Sequence, residues 1–554
     1  MARGRKGPPQ ESIDSILLAM SRRDDIDPDT LSHYFDRLDE EWTDGARDKV
    51  LHLMRTNDPQ AHSAAILILS ELATDFDLEE LEDFVADPTV SDLAKLTLAP
   101  VLKELGSEMA DDGILDYLND PEAAMLQMQM RLLELVGQSE LGVESVLEDV
   151  VTMPIERRLG FIHWLGASQD PRAANLLIPL LENQSSKIVT ATIDALEQLG
   201  SVASNQSIPA LNYLLANNSN RQVKQQARAV LGRLTMHSSP GTEDAAMEEA
   251  RQHQLPLHEA RASFIDGSGT QMVMLSWQRP DGLLKGVNVL YQDEWGIKDC
   301  YGTDEMEVER WAELVDSMDE QGFGSFHVSL EYCYALINEA RAVNKRTRHK
   351  LPVAYAVWRP LIEGSVAQKN APAVPIILES QPFNAEVAQL AQHGGELYQL
   401  MEFSSWYFDP FESVKPYINP YLMSKSGSSS SRGRKRRGGQ RVEEQKTKQE
   451  AIVTEALEKV IDNRWRLLYE GRLRRQGALF QNVGRSNDAR LVSAVAAELH
   501  PDSGQPPQEQ AFLRAMMHHT LEDGFVRLMA EAMESSPFRS TPLNFLPQED
   551  DFYF

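Results

Sequence analysis

Apolar residues along residues 12–236 fall in paired helical stripes. In the clearest pair, Leu176, Leu177, Leu180 and Leu181 lie at i, i+1, i+4 and i+5. Val189, Ile193, Leu196 and Leu199 follow at i, i+4, i+7 and i+10. The next pair repeats this with Leu211, Leu214 and Leu215, then Val223, Ala227, Val230 and Leu234. A short apolar helix end recurs at Leu72, Leu105, Val136, Leu165, Leu199 and Leu234, with spacings of 33, 31, 29, 34 and 35 residues. That period predicts stacked helical hairpins, because neither helix of a pair can bury its stripe alone. Asp58-Pro59, Asp87-Pro88, Asp120-Pro121 and Asp170-Pro171 predict helix entries, with Asp as cap and Pro in the first turn. Glycines after several helix ends suit C-caps. The unit ending at Leu165 is short, and Met153-Pro154 stands where Asp-Pro is expected.

Beyond Pro256 the period changes. Ala262–Ile265 and Gln271–Trp277 flank Asp266-Gly267-Ser268-Gly269 and predict a hairpin, with a third strand over Val287–Tyr291. Asp304 is expected to cap a helix running to Gln321. A short strand at Phe326–Val328 and a helix over Leu330–Asn344 complete a small α+β domain, 256–362. Residues 363–423 read as an irregular Pro- and aromatic-rich connector with a helix near Asn384–His393. Residues 424–442 read as a disordered basic tether and 443–535 as amphipathic C-terminal helices, one of them spanning Val453 to Leu468. Residues 536–554 are a tail. The fold class expected is mainly α: an N-terminal solenoid, a small α+β middle domain and C-terminal helices.

The Asp-Pro entries, the Ala-containing second helices and the Leu-Gly exits of 12–236 resemble the HEAT-repeat superfamily. The resemblance implies an α-solenoid and leaves function open. Its deoxyhypusine-hydroxylase branch needs several His-Glu pairs for iron; this chain has only His258-Glu259, outside the repeats. Its DNA-glycosylase branch needs a basic groove, whereas residues 71–150 carry 21 acidic and three basic side chains. The bilin-lyase branch offers no short motif to test.

Charge sharpens the picture. The 554 residues hold 54 Lys and Arg against 84 Asp and Glu, a net charge of −30, which disfavours general binding to nucleic acid or anionic membrane. Glu79, Glu80, Glu82 and Asp83 are candidates for a surface that docks a protein partner bearing basic charge. The tether is the exception: Arg432, Arg434, Lys435, Arg436 and Arg437 are candidate polyanion-binding residues, able to reach RNA or to fold back on the acidic repeats. Two cysteines, Cys300 and Cys333, exclude a disulfide scaffold and a cysteine-rich zinc site. No apolar run approaches a membrane span, and Met1–Gln10 lacks a signal-peptide core, so a cytoplasmic location is expected.

Candidate chemistry is thin. Asp299-Cys300 and His327 have nucleophile-and-base character, but nothing in their spacing joins them, and both cysteines read as structural. Gly267-x-Gly269 precedes a strand, unlike a phosphate loop. Asp293, Glu294, Asp299, Asp304 and Glu305 fit no calcium-loop spacing. Met125, Met128 and Met130 read as core, and Arg464, Arg466, Arg472, Arg474 and Arg475 as a surface stripe. No catalytic residue, cofactor or metal site is assigned. The sequence favours a non-enzymatic scaffold that holds a protein partner on its acidic solenoid. The alternatives are an RNA- or ribosome-associated factor acting through the tether, and a lyase-like enzyme with its site at the repeat/middle-domain junction.

Overall fold

A computed structural model describes residues 12–534 apart from 23–25, 27, 57, 111, 184, 238–254, 321–323, 365–373 and 427–437. The chain forms two compact units, Met1–Leu135 and Val136–Phe554.

The first unit is helical: α1 (Ile13–Ser21), α2 (Pro28–Glu40), α3 (Arg47–Met54), α4 (Pro59–Leu72), α5 (Leu78–Ala86), α6 (Asp92–Glu104) and most of α7 (Pro121–Gln138). Asp58 caps α4 by accepting from the Gln60 amide at 2.9 Å, as the Asp-Pro signal predicts. At Asp87-Pro88 the prediction fails. Asp87 ends α5 and binds Thr89, while Ser91 caps α6 four residues later. Ile16, Leu38, Val50, Ile68, Leu81 and Leu98 are fully buried in one core. The methionines of α7 correct the sequence reading. Met125 and Met130 are 44% and 46% exposed, beside Leu126 at 60%. The helix carries apolar residues around more than one face, and Ala124 and Leu133 already occupy the buried stripe.

In the second unit three hairpins follow: α8 (Glu140–Thr152) with α9 (Ile155–Ala167), α10 (Ala173–Leu180) with α11 (Ser186–Leu199), and α12 (Ser204–Asn217) with α13 (Arg221–His237). First helices α8, α10 and α12 stack in one layer and second helices α9, α11 and α13 in another. Leu165, Ile193 and Leu196 have no exposure. Gly166 has a packing role rather than a capping one: a Cβ there would lie 2.8 Å from the Ala195 Cα, so glycine lets α9 approach α11.

The middle of the chain is a five-stranded antiparallel sheet in the order β4-β3-β2-β1-β5. Its strands are β1 (Leu257–Ser263), β2 (Thr270–Gln278), β3 (Leu284–Gln292), β4 (Gly296–Met306) and β5 (Ser325–His327). Strand β2 is buried on both faces. Met272, Met274 and Leu284 pack under Trp311 and Val315 of α14 (Val308–Glu320). The opposite face meets α15 (Leu330–Thr347) and α16 (Val353–Gly364), whose Trp358 ring sits where a Cβ on Gly302 would be. Strand β4 is missing from the sequence reading, because its acids break the apolar alternation that an edge strand needs on only one face. Asp304 therefore lies in β4 and does not cap α14.

The segment expected as an irregular connector is part of the C-terminal body. Phe403, Trp406 and Phe408 are buried with Tyr469, Leu473, Phe480, Val492 and Phe512. The helices are α17 (Ala385–Ala391), α18 (Lys415–Ser426), α19 (Gly438–Val460), α20 (Asn463–Asn482), α21 (Ser486–Leu499) and α22 (Ala511–Glu534). The long helix expected across Val453–Leu468 is broken at Asp462, whose carboxylate caps α20 through the Trp465 amide at 2.7 Å. Helices also extend into both ends of the expected tether, to Ser426 and from Gly438. The β1–β2 turn plugs into this body. The Ile265 amide donates to Gln476 at 3.0 Å, the Trp406 indole donates to the Ile265 carbonyl at 2.9 Å, and Arg472 holds the Gly267 carbonyl at 2.6 Å. A side chain at Gly267 would strike the backbone of Trp406.

Leu196→Asp places a charge between stacked hairpins and is expected to cost about 3–5 kcal/mol, read as a fall in thermal or urea stability. A variant that melts with the parent would show that the repeat register is wrong.

Candidate functional site

Three places carry the polar groups on which a function could rest. The first is the junction of the repeats with the sheet domain, where the lyase-like alternative puts its site. Asp304 of β4 reaches the start of α8 and accepts from the Leu141 amide at 3.0 Å, so it is a helix cap supplied 163 residues along the chain. Burial alone would raise its carboxyl. The Leu141 amide and the Lys285 ammonium outweigh that and hold it below its ordinary range. Lys285 of β3 bridges Asp304, at 3.2 Å, and Glu140. Deeper in, Trp358 of α16 donates to Glu144 of α8 at 2.7 Å. Arg359 pairs with Glu182 and lies 3.9 Å over the Tyr213 ring, while Arg341 pairs with Glu363 at 2.8 Å and with the Tyr213 hydroxyl. These side chains pair across the junction and form an interlock between layers.

Glu144 is the unusual member. Burial, and after it the charges of Glu148, Asp299 and Asp304, outweigh the Trp358 hydrogen bond and push its carboxyl up to about 7. The cysteines behave differently. Cys300 and Cys333 are buried, and burial pushes both thiols well up, so neither is a thiolate near neutrality. Cys300 lies on β4 and His327 on β5, the two edges of the sheet, four strand spacings or about 19 Å apart. His327 instead contacts Glu259 at 2.8 Å.

The second place is the acidic stretch of the first unit. Glu79 and Asp83 are exposed on α5. Glu80 pairs with Arg47, and half-buried Glu82 accepts from Ser107 at 2.5 Å. The four candidates thus share a short helix, but two are engaged at home. Lys95, one of the few basic residues in 71–150, is buried and bound to the Tyr117 carbonyl at 2.8 Å. The surface is therefore more one-signed than the composition suggests. The ends of α4 and α6 leave a cavity of about 370 Å³ lined by Leu69, Ala73, Val101 and Leu105 and by the acids Asp75 and Glu104. Phe76 stands at its edge, 95% exposed. The sequence reading passed over Phe76. Its one signal is an aromatic residue between two aspartates, off the helical stripe.

The third place is the tether. Arg432, Arg434, Lys435, Arg436 and Arg437 lie outside the described residues. The arginine stripe of α20 is only partly a surface feature. Arg472 is buried against Asp293 at 2.8 Å, and Arg466 is buried on the carbonyls of Leu499 and His500, closing the end of α21. The helix packs into a body on that side, which periodicity alone could not reveal. Among the described residues no cluster of three His, Cys, Asp or Glu side chains could hold a metal, and no helix is long and apolar enough to cross a membrane.

Helical hairpins stacked in two layers define the α-solenoid class. Within it, residues 145–232 match the family model for HEAT repeats, and this part of the chain is a HEAT-repeat array. No curated protein and no solved structure matches the chain.

The folded chain holds the Glu144 proton more tightly than the unfolded one does. Stability should therefore fall as pH rises from about 4.5 to about 7. Glu144→Gln keeps the acceptor for Trp358 and removes that penalty. It is expected to match the parent near pH 5 and to exceed it at pH 8 by on the order of 1 kcal/mol, since partial exposure screens the charge. A stability difference that is flat across this range would contradict the assignment. Both thiols should resist a neutral alkylating reagent for hours in the folded chain and react promptly in denaturant, followed by mass spectrometry.

Proposed function

We propose that the protein is a non-enzymatic scaffold whose acidic N-terminal helices dock a protein partner with a basic surface. HEAT repeats are commonly protein-interaction scaffolds, which fits this role. The observation that carries the reading is Phe76: a large apolar side chain left 95% exposed at the rim of a cavity that Asp75 and Glu104 also line, with Glu79 and Asp83 exposed on the helix that follows it. Exposed aromatic side chains are the usual anchors of protein interfaces, and surrounding charge of one sign selects and steers the partner. A lysine- or arginine-rich segment carrying one apolar side chain fits both parts. The apolar group takes the cavity beside Phe76, and the cations meet Glu79 and Asp83.

A second reading, binding of a polyanion such as RNA through the tether, is supported by composition: residues 424–442 carry seven positive charges and no acid. The same charges could compete for the acidic helices from within the chain.

Binding is tested with the full chain and a lysine-rich peptide carrying a single phenylalanine. Phe76→Ser and the pair Glu79→Gln/Asp83→Asn should each weaken binding about three- to tenfold and leave the melting temperature unchanged, because all three positions are exposed. The charge pair should also flatten the dependence of affinity on salt. Unchanged affinity in both variants would overturn the reading.

A further inference from the structure

The structure carries a second surface of the opposite sign, distant in sequence from the tether. Helix α15 ends in Lys345 and Arg346, and Arg348, in the left-handed conformation with φ 65°, terminates it. Lys350 follows. All four cations are exposed. Lys345 and Arg346 complement the carbonyl end of the helix. Arg348 is the C-cap and Lys350 lies two residues beyond it. Among the described residues no carboxylate pairs with any of the four. In a chain of net charge −30 this is a concentrated exception.

An aromatic platform sits on the same spot. Trp295, in the β3–β4 turn, stacks on His349 with ring centroids 3.6 Å apart and planes 9° from parallel. The turn is pinned there by three contacts to α15 and the residues after it. Asn344 brackets Ile297, accepting from its amide at 2.7 Å. Thr347 donates to the Trp295 carbonyl at 3.3 Å, and the His349 ring meets the same carbonyl at 3.2 Å. A Cβ on Gly296 would strike Asn344, so glycine permits this approach. With one ring face against His349, Trp295 still keeps 42% exposure. The adjacent acid, Glu294, is met by Arg464 of α20 at 3.8 Å, which offsets its charge beside the platform.

We propose that this basic-aromatic patch binds single-stranded nucleic acid, with a base stacked on Trp295 and neighbouring phosphates held by Arg346, Arg348 and the flanking lysines. Cations alone would serve any polyanion. A rigidly held, exposed indole among them favours a partner with flat, unpaired bases, since each base presents a face for stacking and duplex bases do not. The binding is sequence-tolerant and salt-dependent, because nothing in the patch reads base edges.

The test uses the full chain with Lys425, Arg432, Arg434, Lys435, Arg436, Arg437 and Arg441 all replaced by Gln, so that the tether cannot supply the signal. The probe is a fluorescein-labelled 12-nucleotide oligo(dT) at 50 mM salt. This background should still bind it. Trp295→Ala should weaken binding about tenfold, with Trp295→Phe retaining most of the affinity. Arg346→Gln/Arg348→Gln should lower the slope of log affinity against log salt by about 1.4. A duplex of equal length should bind more weakly than the single strand. The proposal is overturned if the background does not bind, or if Trp295→Ala binds like its parent. It is equally overturned if poly-glutamate binds as tightly as the oligonucleotide, which would assign the patch to acidic proteins.

Discussion

Each helical hairpin between residues 140 and 237 carries apolar stripes that it cannot cover itself, and everything else in the second unit is arranged around that requirement. Neighbouring hairpins cover most of the surface, with Leu165, Ile193 and Leu196 at the contacts. In the layer formed by α8, α10 and α12, helix α16 and strand β4 pack against α8, and α16 also reaches α10. The sheet domain therefore serves as a lateral cover for the array. The sheet in turn cannot be left open on that side, because β2 and β3 carry buried residues on both faces.

Packing of this kind is non-directional, and polar groups give it a register. Asp304 and Lys285 fix the start of α8; Glu182 with Arg359, and the Tyr213 hydroxyl with Arg341, fix the levels beyond it. Partly buried charges of this sort add little net stability when paired but are costly to strand, so they penalise every misdocked alternative. The same logic recurs where the β1–β2 turn enters the C-terminal body. There Arg472 is buried against Asp293 and the Gly267 carbonyl. Glu144 departs from the pattern: it has an indole donor but no cation, and its carboxyl consequently titrates near neutrality.

Charge is also segregated along the chain. The first unit presents exposed carboxylates beside an exposed phenylalanine, whereas the end of α15 presents four cations beside an exposed tryptophan. At physiological ionic strength the Debye length is about 8 Å, so each patch acts on what touches it rather than on the field of the whole molecule. A net charge of −30 therefore sets the average solubility and repulsion of the chain and does not decide the partner of a particular surface.

The sequence by itself determined the repeats, because a 3.6-residue period and a unit length near 33 are properties of one strand of text. Leu165, Leu196 and the helix cap at Asp58 could all be read without a neighbour in view. It also exposed the acidic stretch and the basic tether, since charge density is a local count. Strand β4, the role of Asp304, the aromatic core of 403–412 and the burial of Arg466 and Arg472 were decided only in three dimensions. Strand β4 pairs with its neighbour β3 but carries too many acids to read as a strand alone; the others depend on partners more than thirty residues away, and no local propensity distinguishes an aspartate that caps the next helix from one that caps a helix 163 residues earlier. The run Lys345–Lys350 was present in the sequence as plainly as the tether. What tertiary structure added was Trp295, brought from the β3–β4 turn to lie on His349, because that turn closes over the end of α15.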